Sequence, residues 1–353
     1  MPSLTLDFYG TTVEIAGPGP VVEELGRDFR GFRAGRAGAR LLSWVLEPVS
    51  FPQRRRPAGR PDWSWKGWEV HERPERRIML AADGSGIIFE ERERRFELFA
   101  GEPGRLHELA YLGILSRVGE ALDEAGLHRI HAFGFERLGE GGLLLLPSGG
   151  GKSRLALETW RSGRLRWLSE ESPLIDRDLR ILAFPTRWAF RSDADLSDIE
   201  PRHVRVFHRA GFPAKRVIDL EPFLGSMAWS ASLRWLLIGR PGRGGASIKK
   251  ADRTEALAAL ARHLVLGQGL AQMGEYMLGF RPRRVARLSS IALSRALRAL
   301  SIIARAEIFR FDLSPDPGAS AGVLLRFVEG SMGQTLDRAL PAMVESKRSH
   351  GER

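Results

Sequence analysis

The sequence contains no cysteine among its 353 residues. This absence excludes a disulfide framework, a zinc site built on thiolates and a thiol nucleophile. Lysine is also scarce, because only six of the 54 basic residues are lysines. No segment approaches 18 uncharged apolar residues, which predicts no membrane span, and the first ten residues lack the basic and apolar regions of a signal peptide. We therefore expect a cytoplasmic protein.

The composition is that of a folded protein, with 43% hydrophobic and 27% charged residues. The length leaves room for two domains. The formal net charge of +11 favours association with acidic partners, which include nucleotides, phosphoproteins, anionic lipids and nucleic acid. We expect nucleic acid not to be the partner. A homo-oligomer is left open.

Residues 1–125 have the pattern of an N-terminal α/β domain. Two β-rich runs lie within 4–15, followed by a helical pattern over 21–32 and a predicted strand at 41–49. Leucines at helical spacing predict a longer helix over 106–125. The first division of the chain is therefore placed at residue 125.

An Arg-, Trp- and Pro-rich stretch at about 52–77 has no clear period, which predicts an exposed loop or insertion. Trp63, Trp65 and Trp68 follow one another at near strand spacing. They can cover a small sheet, or they can stack on bases or line a peptide groove.

The C-terminal third turns helical, and we divide it into a helical extension over 251–340 and a disordered tail over 341–353. Its last helix, predicted at 289–305, is basic and amphipathic. A solvated helix face and a docking surface for an acidic partner or membrane leaflet both fit this pattern.

The segment 126–250 contains the most informative motif of the chain. An apolar strand predicted at 142–146 leads into Pro147-Ser-Gly-Gly-Gly-Lys-Ser153, and a helix is predicted directly after it. A strand, a Gly-rich loop and a helix are the context that a phosphate-binding loop requires. The usual pattern, G-x-x-x-x-G-K-[ST], has a glycine where Leu146 stands, and a plain Gly-rich turn is the alternative.

Each residue of this loop has an expected role in nucleotide binding. The backbone of Ser148, Gly149, Gly150 and Gly151 is expected to hold phosphate, because glycines let consecutive N–H groups face one anion. Lys152 is expected to neutralise the phosphates, and the Ser153 hydroxyl to contact Mg²⁺.

Phosphoryl transfer also needs carboxylates for metal and proton. Glu170-Glu171, after the next predicted strand, are the candidates, although adjacent glutamates are also common in exposed turns. His131, just before the loop's preceding strands, can contact phosphate or serve a structural role. Four arginines are candidates for neutralising charge on the transferred group: Arg187, Arg191, Arg240 and Arg243.

Taken together, these motifs resemble the catalytic domain of the HPr serine kinase/phosphorylase family. The resemblance is carried by His131, the Gly-rich Lys-Ser loop, Leu168-Ser-Glu-Glu171 and the run Ala183-Phe-Pro-Thr-Arg-Trp-Ala-Phe-Arg191. It covers roughly residues 125–245.

The resemblance implies an α/β protein whose domain at 126–250 has the P-loop nucleotide fold of HPr kinase and phosphoenolpyruvate carboxykinase. It further implies a Mg²⁺-dependent serine kinase that transfers the γ-phosphoryl of ATP to a hydroxyl of an unknown protein, peptide or small molecule. The family pattern assigns metal binding to Ser153 and Glu170. It gives Glu171 or Glu170 the role of base, His131 that of support and Arg191 that of steadying the phosphoryl group.

The alternative is a nucleotide-binding scaffold or switch without kinase activity, in which ATP orders the basic helical region for a partner. It predicts nucleotide affinity without turnover.

Overall fold

The computed structural model describes residues 1–34, 40–65, 67–191, 194–209, 212–270 and 282–348. The α-helices within these residues are α1 (Gly19–Asp28), α2 (Pro103–Glu124), α3 (Lys152–Arg161), α4 (Arg253–Leu260), α5 (Pro282–Arg305) and α6 (Pro317–Arg348).

The strands are β1 (Ser3–Phe8), β2 (Thr11–Ala16), β3 (Arg40–Glu47), β4 (Trp63–Trp65), β5 (Trp68–Glu72), β6 (Arg76–Ala81), β7 (Gly86–Glu90), β8 (Arg95–Phe99), β9 (His128–Arg129), β10 (Ala132–Arg137), β11 (Glu140–Leu145), β12 (Arg166–Ser169), β13 (Leu174–Ile175), β14 (Arg180–Leu182), β15 (Trp188–Phe190), β16 (Val204–Arg209), β17 (Phe212–Ile218), β18 (Ser230–Pro241), β19 (Ser247–Lys250) and β20 (Glu307–Leu313).

The protein has a mixed α/β fold, which confirms the sequence prediction at that level. Its chain forms two compact units, each assembled from three stretches. Unit 1 comprises Met1–Arg129, Phe184–Gly225 and Leu270–Arg295, and unit 2 comprises Ile130–Ala183, Ser226–Gly269 and Ala296–Arg353. The sequence-based boundaries at residues 125, 250 and 340 stay a prediction.

Unit 1 is built on an eight-stranded sheet in the order β1-β2-β3-β8-β7-β6-β5-β4. The β2–β3 and β3–β8 pairs are parallel and the other pairs are antiparallel. In β1 the alternation of residues buries Leu6 and Phe8 completely, as expected for a strand with one face in a core. The helical pattern predicted at 106–125 is the long helix α2.

The structure corrects the prediction of an exposed loop at 52–77, because this stretch contains β4, β5 and the start of β6. The short strands escape sequence analysis since they have only three to five residues. Trp63 and Trp68 are half-buried, with Arg77 5.9 Å from the first ring and Arg105 5.6 Å from the second. Each ring therefore packs beside an arginine of the same unit, and the two alternatives for these tryptophans stay open.

The second sheet of unit 1 has the order β15-β17-β16 and is antiparallel. Arg205 of its strand β16 belongs to a buried charge network around Asp28. Asp28 is fully buried and accepts hydrogen bonds from Arg187 (2.5 Å) and Arg205 (2.8 Å). Burial alone would raise the pKa of Asp28, but the charge of Arg187 and the contact with His107 hold it below its usual value. The network thus keeps Asp28 ionised inside the unit.

Unit 2 contains strands in the order β12-β10-β11-β18-β14-β13, with β20 beside the C-terminal half of β18 and β19 beside β20. The strands β11, β18 and β20 run parallel. Their carboxyl ends therefore lie at one edge of the sheet, and α3 and α6 follow two of them. In open α/β sheets this edge is where ligands bind.

The C-terminal third differs from the predicted helical extension. The strand β20 interrupts it, because Glu307–Leu313 alternates buried and half-buried residues along most of its length. Helix α6 continues to Arg348, so its last turns fall in the tail predicted to be disordered. Residues 271–281 of the predicted extension and 349–353 of the tail lie outside the described residues. Within the described chain, no helix is both long and apolar enough to cross a membrane.

Candidate functional site

The Gly-rich loop lies in unit 2 between β11 and α3, as the sequence predicts. Leu143, Leu144 and Leu145 of β11 are buried, and the chain leaves the sheet at the carboxyl end of this strand. Helix α3 begins at Lys152, and no side chain caps its N-terminus. By contrast, Asp252 caps α4 by accepting a hydrogen bond from the N–H of Glu255 at 2.7 Å. The start of α3 is thus an uncapped positive dipole end behind a loop.

The structure gives a reason for glycine at each of three positions in the loop. Gly149 and Gly151 adopt left-handed conformations with φ of 79° and 94°. At Gly150 a Cβ would lie 3.0 Å from the carbonyl oxygen of Pro147, which accepts a hydrogen bond from the N–H of Gly150. All three positions therefore disfavour a larger residue.

Leu146 stands where the usual pattern has glycine, and the structure explains how it is accommodated. Its side chain is fully buried and fills the space above Gly239 of β18, where a Cβ would lie 2.6 Å from its Cγ. The missing glycine is thus compensated by a glycine on the neighbouring strand.

Lys152 is the unusual residue of this site. Its side chain is only 7% exposed, and its Nζ has no hydrogen-bond partner among the described residues. Burial lowers the pKa of Lys152, while the charges of Glu170 and Glu171 act in the opposite direction. A buried ammonium without a partner is costly, which makes this group a strong candidate for binding an anion.

Ser153 and Glu170 are in direct contact, since the Ser153 hydroxyl donates a 2.5 Å hydrogen bond to Oε1 of Glu170. Glu170 is buried at the end of β12, whereas the next residue, Glu171, is exposed. The carbonyl oxygen of Glu171 accepts a hydrogen bond from the N–H of Ala132 at 3.1 Å, which joins this turn to the start of β10. The predicted acidic pair is therefore split into one buried and one exposed carboxylate.

His131 lies just before β10, and the structure pairs it with His263, which sequence reasoning missed. The two Nδ1 atoms are 3.3 Å apart. Burial and the charge of Lys152 lower the pKa of His131 to about 3 and that of His263 to about 4. His263 lies in a π-helical turn, Ala261–Val265, more than 100 residues after the loop. No spacing pattern in the predicted helical region indicates that His263 contacts His131.

The four arginines proposed to neutralise the transferred group lie in different environments. Arg191 follows β15 in unit 1 and is exposed, so it does not belong to the unit that holds the loop. Arg187 is occupied by Asp28 and lies between the rings of Tyr111 and Phe207, 3.9 and 3.7 Å from its guanidinium carbon, which gives it a structural role in unit 1. In unit 2, Arg240 pairs with Glu255 at 2.8 Å, and Arg243 is exposed on the loop after β18.

Unit 1 contains a second arrangement with the distances of a catalytic triad. Nδ1 of His128 lies 2.9 Å from Oδ1 of Asp123, and its Nε2 lies 2.8 Å from the hydroxyl of Ser294. His128 is fully buried, however, so its ring cannot reach a leaving group, and the Asp123 carboxylate is also bound by Arg295. Ser294 lies within α5, where helical bonding occupies the backbone N–H groups that an oxyanion would need. This chain of contacts is therefore structural.

Among the described residues, no group of three or more histidine, aspartate or glutamate side chains is placed to hold a metal ion. A site for Mg²⁺ would accordingly rest on few protein oxygens, as is usual where phosphate supplies the other ligands. The hydroxyl of Ser153 and the carboxylate of Glu170 are oxygen donors of the kind that this ion prefers.

No protein-family model and no curated protein matches the chain.

Proposed function

We propose that this protein is an ATP-dependent kinase that transfers the γ-phosphoryl group to a hydroxyl of a protein, peptide or small molecule. The observation that carries the proposal is Lys152, a buried ammonium without a hydrogen-bond partner at the start of the uncapped helix α3. A Gly-rich loop, a free helix N-terminus and an unpaired cation together suit the triphosphate of a nucleotide.

The residues around Lys152 suit the remaining tasks. Ser153 and Glu170 would hold Mg²⁺, which neutralises phosphate charge when bound. The buried position of Glu170 and its bond to Ser153 favour it as the metal-binding carboxylate. The exposed Glu171 is then the carboxylate that we propose as base.

The proposed step is an in-line displacement. The acceptor oxygen forms a bond to the γ-phosphorus, the bond between this phosphorus and the β–γ bridging oxygen breaks, and ADP leaves. Glu171 takes the proton of the acceptor hydroxyl. His131 is our candidate for supporting the site. The role of Arg191 in steadying the phosphoryl group stays a prediction from the resemblance alone, since Arg191 belongs to unit 1.

The resemblance of these motifs to the HPr kinase family supports the same proposal, including a nucleotide fold of the phosphoenolpyruvate carboxykinase type. ATP and Mg²⁺ are the expected ligands, and the cytoplasm is the expected location. A nucleotide-dependent switch without turnover is the alternative outcome of the experiment below.

The proposal is tested by ADP release from MgATP, measured for the wild type, Lys152→Ala and Glu171→Gln. Lys250→Ala is the matched control, because Lys250 is an exposed lysine of the same unit. We expect slow ADP release that both site variants reduce by at least about tenfold and that the control leaves unchanged. Nucleotide binding without ADP release would support the switch, and ADP release that survives in both site variants would contradict the proposed site.

A further inference from the structure

Two separate contacts fix His263 against His131. The backbone N–H of His131 donates to the carbonyl oxygen of His263 at 3.1 Å, and the two Nδ1 atoms lie 3.3 Å apart. His263 lies in the π-helical turn Ala261–Val265, and π-helical turns are frequent at functional sites. Gly269 closes over the pair, because a Cβ at this position would lie 2.2 Å from Nδ1 of His131. The arrangement leaves the rings little freedom.

The contact between the Nδ1 atoms limits how many protons the pair can hold. One ring must donate through Nδ1 and the other must accept, so the donor ring of a neutral pair has an unprotonated Nε2. A single added proton goes to that Nε2. It makes the donor ring an imidazolium and leaves the bond between the rings in place. A second added proton would put hydrogens on both Nδ1 atoms and break the contact.

Burial is the main reason why the pKa of each ring is lowered, and nearby positive charge lowers it further. Lys152 from α3 acts on both rings, and Arg262 from the π-helical turn acts on His263. Glu170 and Glu171, at the end of β12, act on Lys152 with the opposite sign, and the backbone of Gln268 favours the protonated form of His131. Contacts through the Glu170–Glu171 turn also join the two parts of the site, because Glu170 accepts from the hydroxyl of Ser153, next to Lys152, and Glu171 accepts from the N–H of Ala132, next to His131. An anion bound at Lys152 would cancel the repulsion that Lys152 exerts on the pair.

We propose that the His131–His263 pair is part of the anion site of Lys152, and that a phosphate dianion binds there together with one proton taken up by the pair. This inference rests on the proposed function, because it requires an anion at Lys152, and it adds His263 as a binding residue. Binding and proton uptake are linked, so the affinity for a dianion rises as the pH falls, by at most about tenfold per pH unit.

The test uses sulfate, a tetrahedral dianion that does not itself titrate between pH 5 and 7.5. Full-length protein carrying ¹³C-labelled histidine is titrated by NMR over this range, with sulfate or with chloride at equal ionic strength. The signals of the pair are assigned from their loss in His131→Gln and His263→Gln. In chloride we expect both rings to stay neutral down to about pH 5. In sulfate we expect one ring of the pair to titrate at least one pH unit higher.

The variant Lys152→Ala separates this inference from the proposed function. If sulfate shifts the signals only when Lys152 is present and one ring gains a proton, the inference is supported. If the signals shift in a Lys152-dependent manner while both rings stay neutral, the anion site stands and the role of the pair is refuted. The absence of any Lys152-dependent effect would overturn the anion site and the inference together. The decisive titration is done on the wild type, so a histidine variant that folds poorly affects only the assignment of the signals. The other histidine variant still assigns one signal of the pair, and the second follows from its matching sulfate dependence.

Discussion

At the scale of single residues, Lys152 combines a stability penalty with its proposed binding role. Its ammonium is buried without a hydrogen-bond partner, and a desolvated charge of this kind destabilises a folded chain. Evolution towards stability alone would favour an apolar side chain here. The anion that we propose would supply the missing partner only when bound.

The substitution Lys152→Met is therefore expected to increase the free energy of unfolding of the ligand-free protein, by roughly 1 kcal/mol, because it removes the unpaired charge and keeps the side-chain volume. Urea denaturation measures this change. Lys250→Met, at an exposed lysine, is the control and should alter stability by less than about 0.5 kcal/mol. A loss of stability in Lys152→Met would show that the ammonium has a partner in the folded protein.

Asp28 presents the opposite case, a buried charge whose partners are in place. Asp28→Asn should reduce the free energy of unfolding by roughly 3 kcal/mol, since it leaves the buried guanidinium of Arg187 without a counter-charge. Glu221→Gln breaks a 3.3 Å surface pair with Arg30 in the same unit and should cost less than about 1 kcal/mol. Equal losses in the two variants would argue against the buried network.

The histidine pair predicts a pH dependence of stability. The pKa values of His131 and His263 are lowered to about 3 and about 4, so below about pH 6.5 these rings gain protons in the unfolded chain but not in the folded one. The free energy of unfolding must then decrease as the pH is lowered, by up to about 1.4 kcal/mol per pH unit for each ring. Urea denaturation at pH 7 and pH 5.5 should show a smaller loss for His263→Gln than for the wild type. An equal loss would mean that His263 is already protonated in the folded protein.

At the scale of secondary-structure elements, glycines in β11 determine how closely its neighbours approach. Gly142 pairs with Phe135 of β10, and a Cβ at Gly142 would lie 2.1 Å from the edge of that ring. Gly142→Ala should therefore destabilise the protein by roughly 1–3 kcal/mol through overpacking. Gly245→Ala, in an open loop of the same unit, is the control and should have little effect. Thermal denaturation of the two variants gives the comparison.

The basic helix α5 illustrates where charge composition alone misleads. In unit 1, Arg295 is fully buried and binds Asp123, and Arg287 forms ion pairs with Glu120 and Glu124 of α2. These arginines serve packing within the unit. From the sequence alone these arginines look like surface charge, because their acidic partners lie more than 150 residues away along the chain.

The sequence was informative where a local pattern determines the structure. The predicted strand at 41–49 largely coincides with β3, and the loop between β11 and α3 follows from glycines, an apolar strand and a helix start that are adjacent in the chain. Contacts between distant segments could not be predicted this way. The pairing of His131 with His263 and the placement of Leu146 over Gly239 arise only from the topology of the sheet.

At the scale of the whole molecule, the chain returns to each of its two compact units after leaving it. Unit 2 receives its Gly-rich loop from one stretch, His263 from a second and β20 from a third. Sequence analysis treats neighbouring residues as one domain and therefore cannot detect this arrangement. The candidate site depends on it, since two of its three parallel strands come from the later stretches.

The central claim is that the loop at 146–153 binds nucleotide phosphate through Lys152. The most direct test is the thermal unfolding of the wild type, Lys152→Ala and Lys250→Ala with MgATP, with MgADP and without nucleotide. We predict that MgATP raises the melting temperature of the wild type and of Lys250→Ala but not that of Lys152→Ala, because a ligand stabilises only the folded state that binds it. Equal stabilisation of all three proteins, or of none, would contradict the claim.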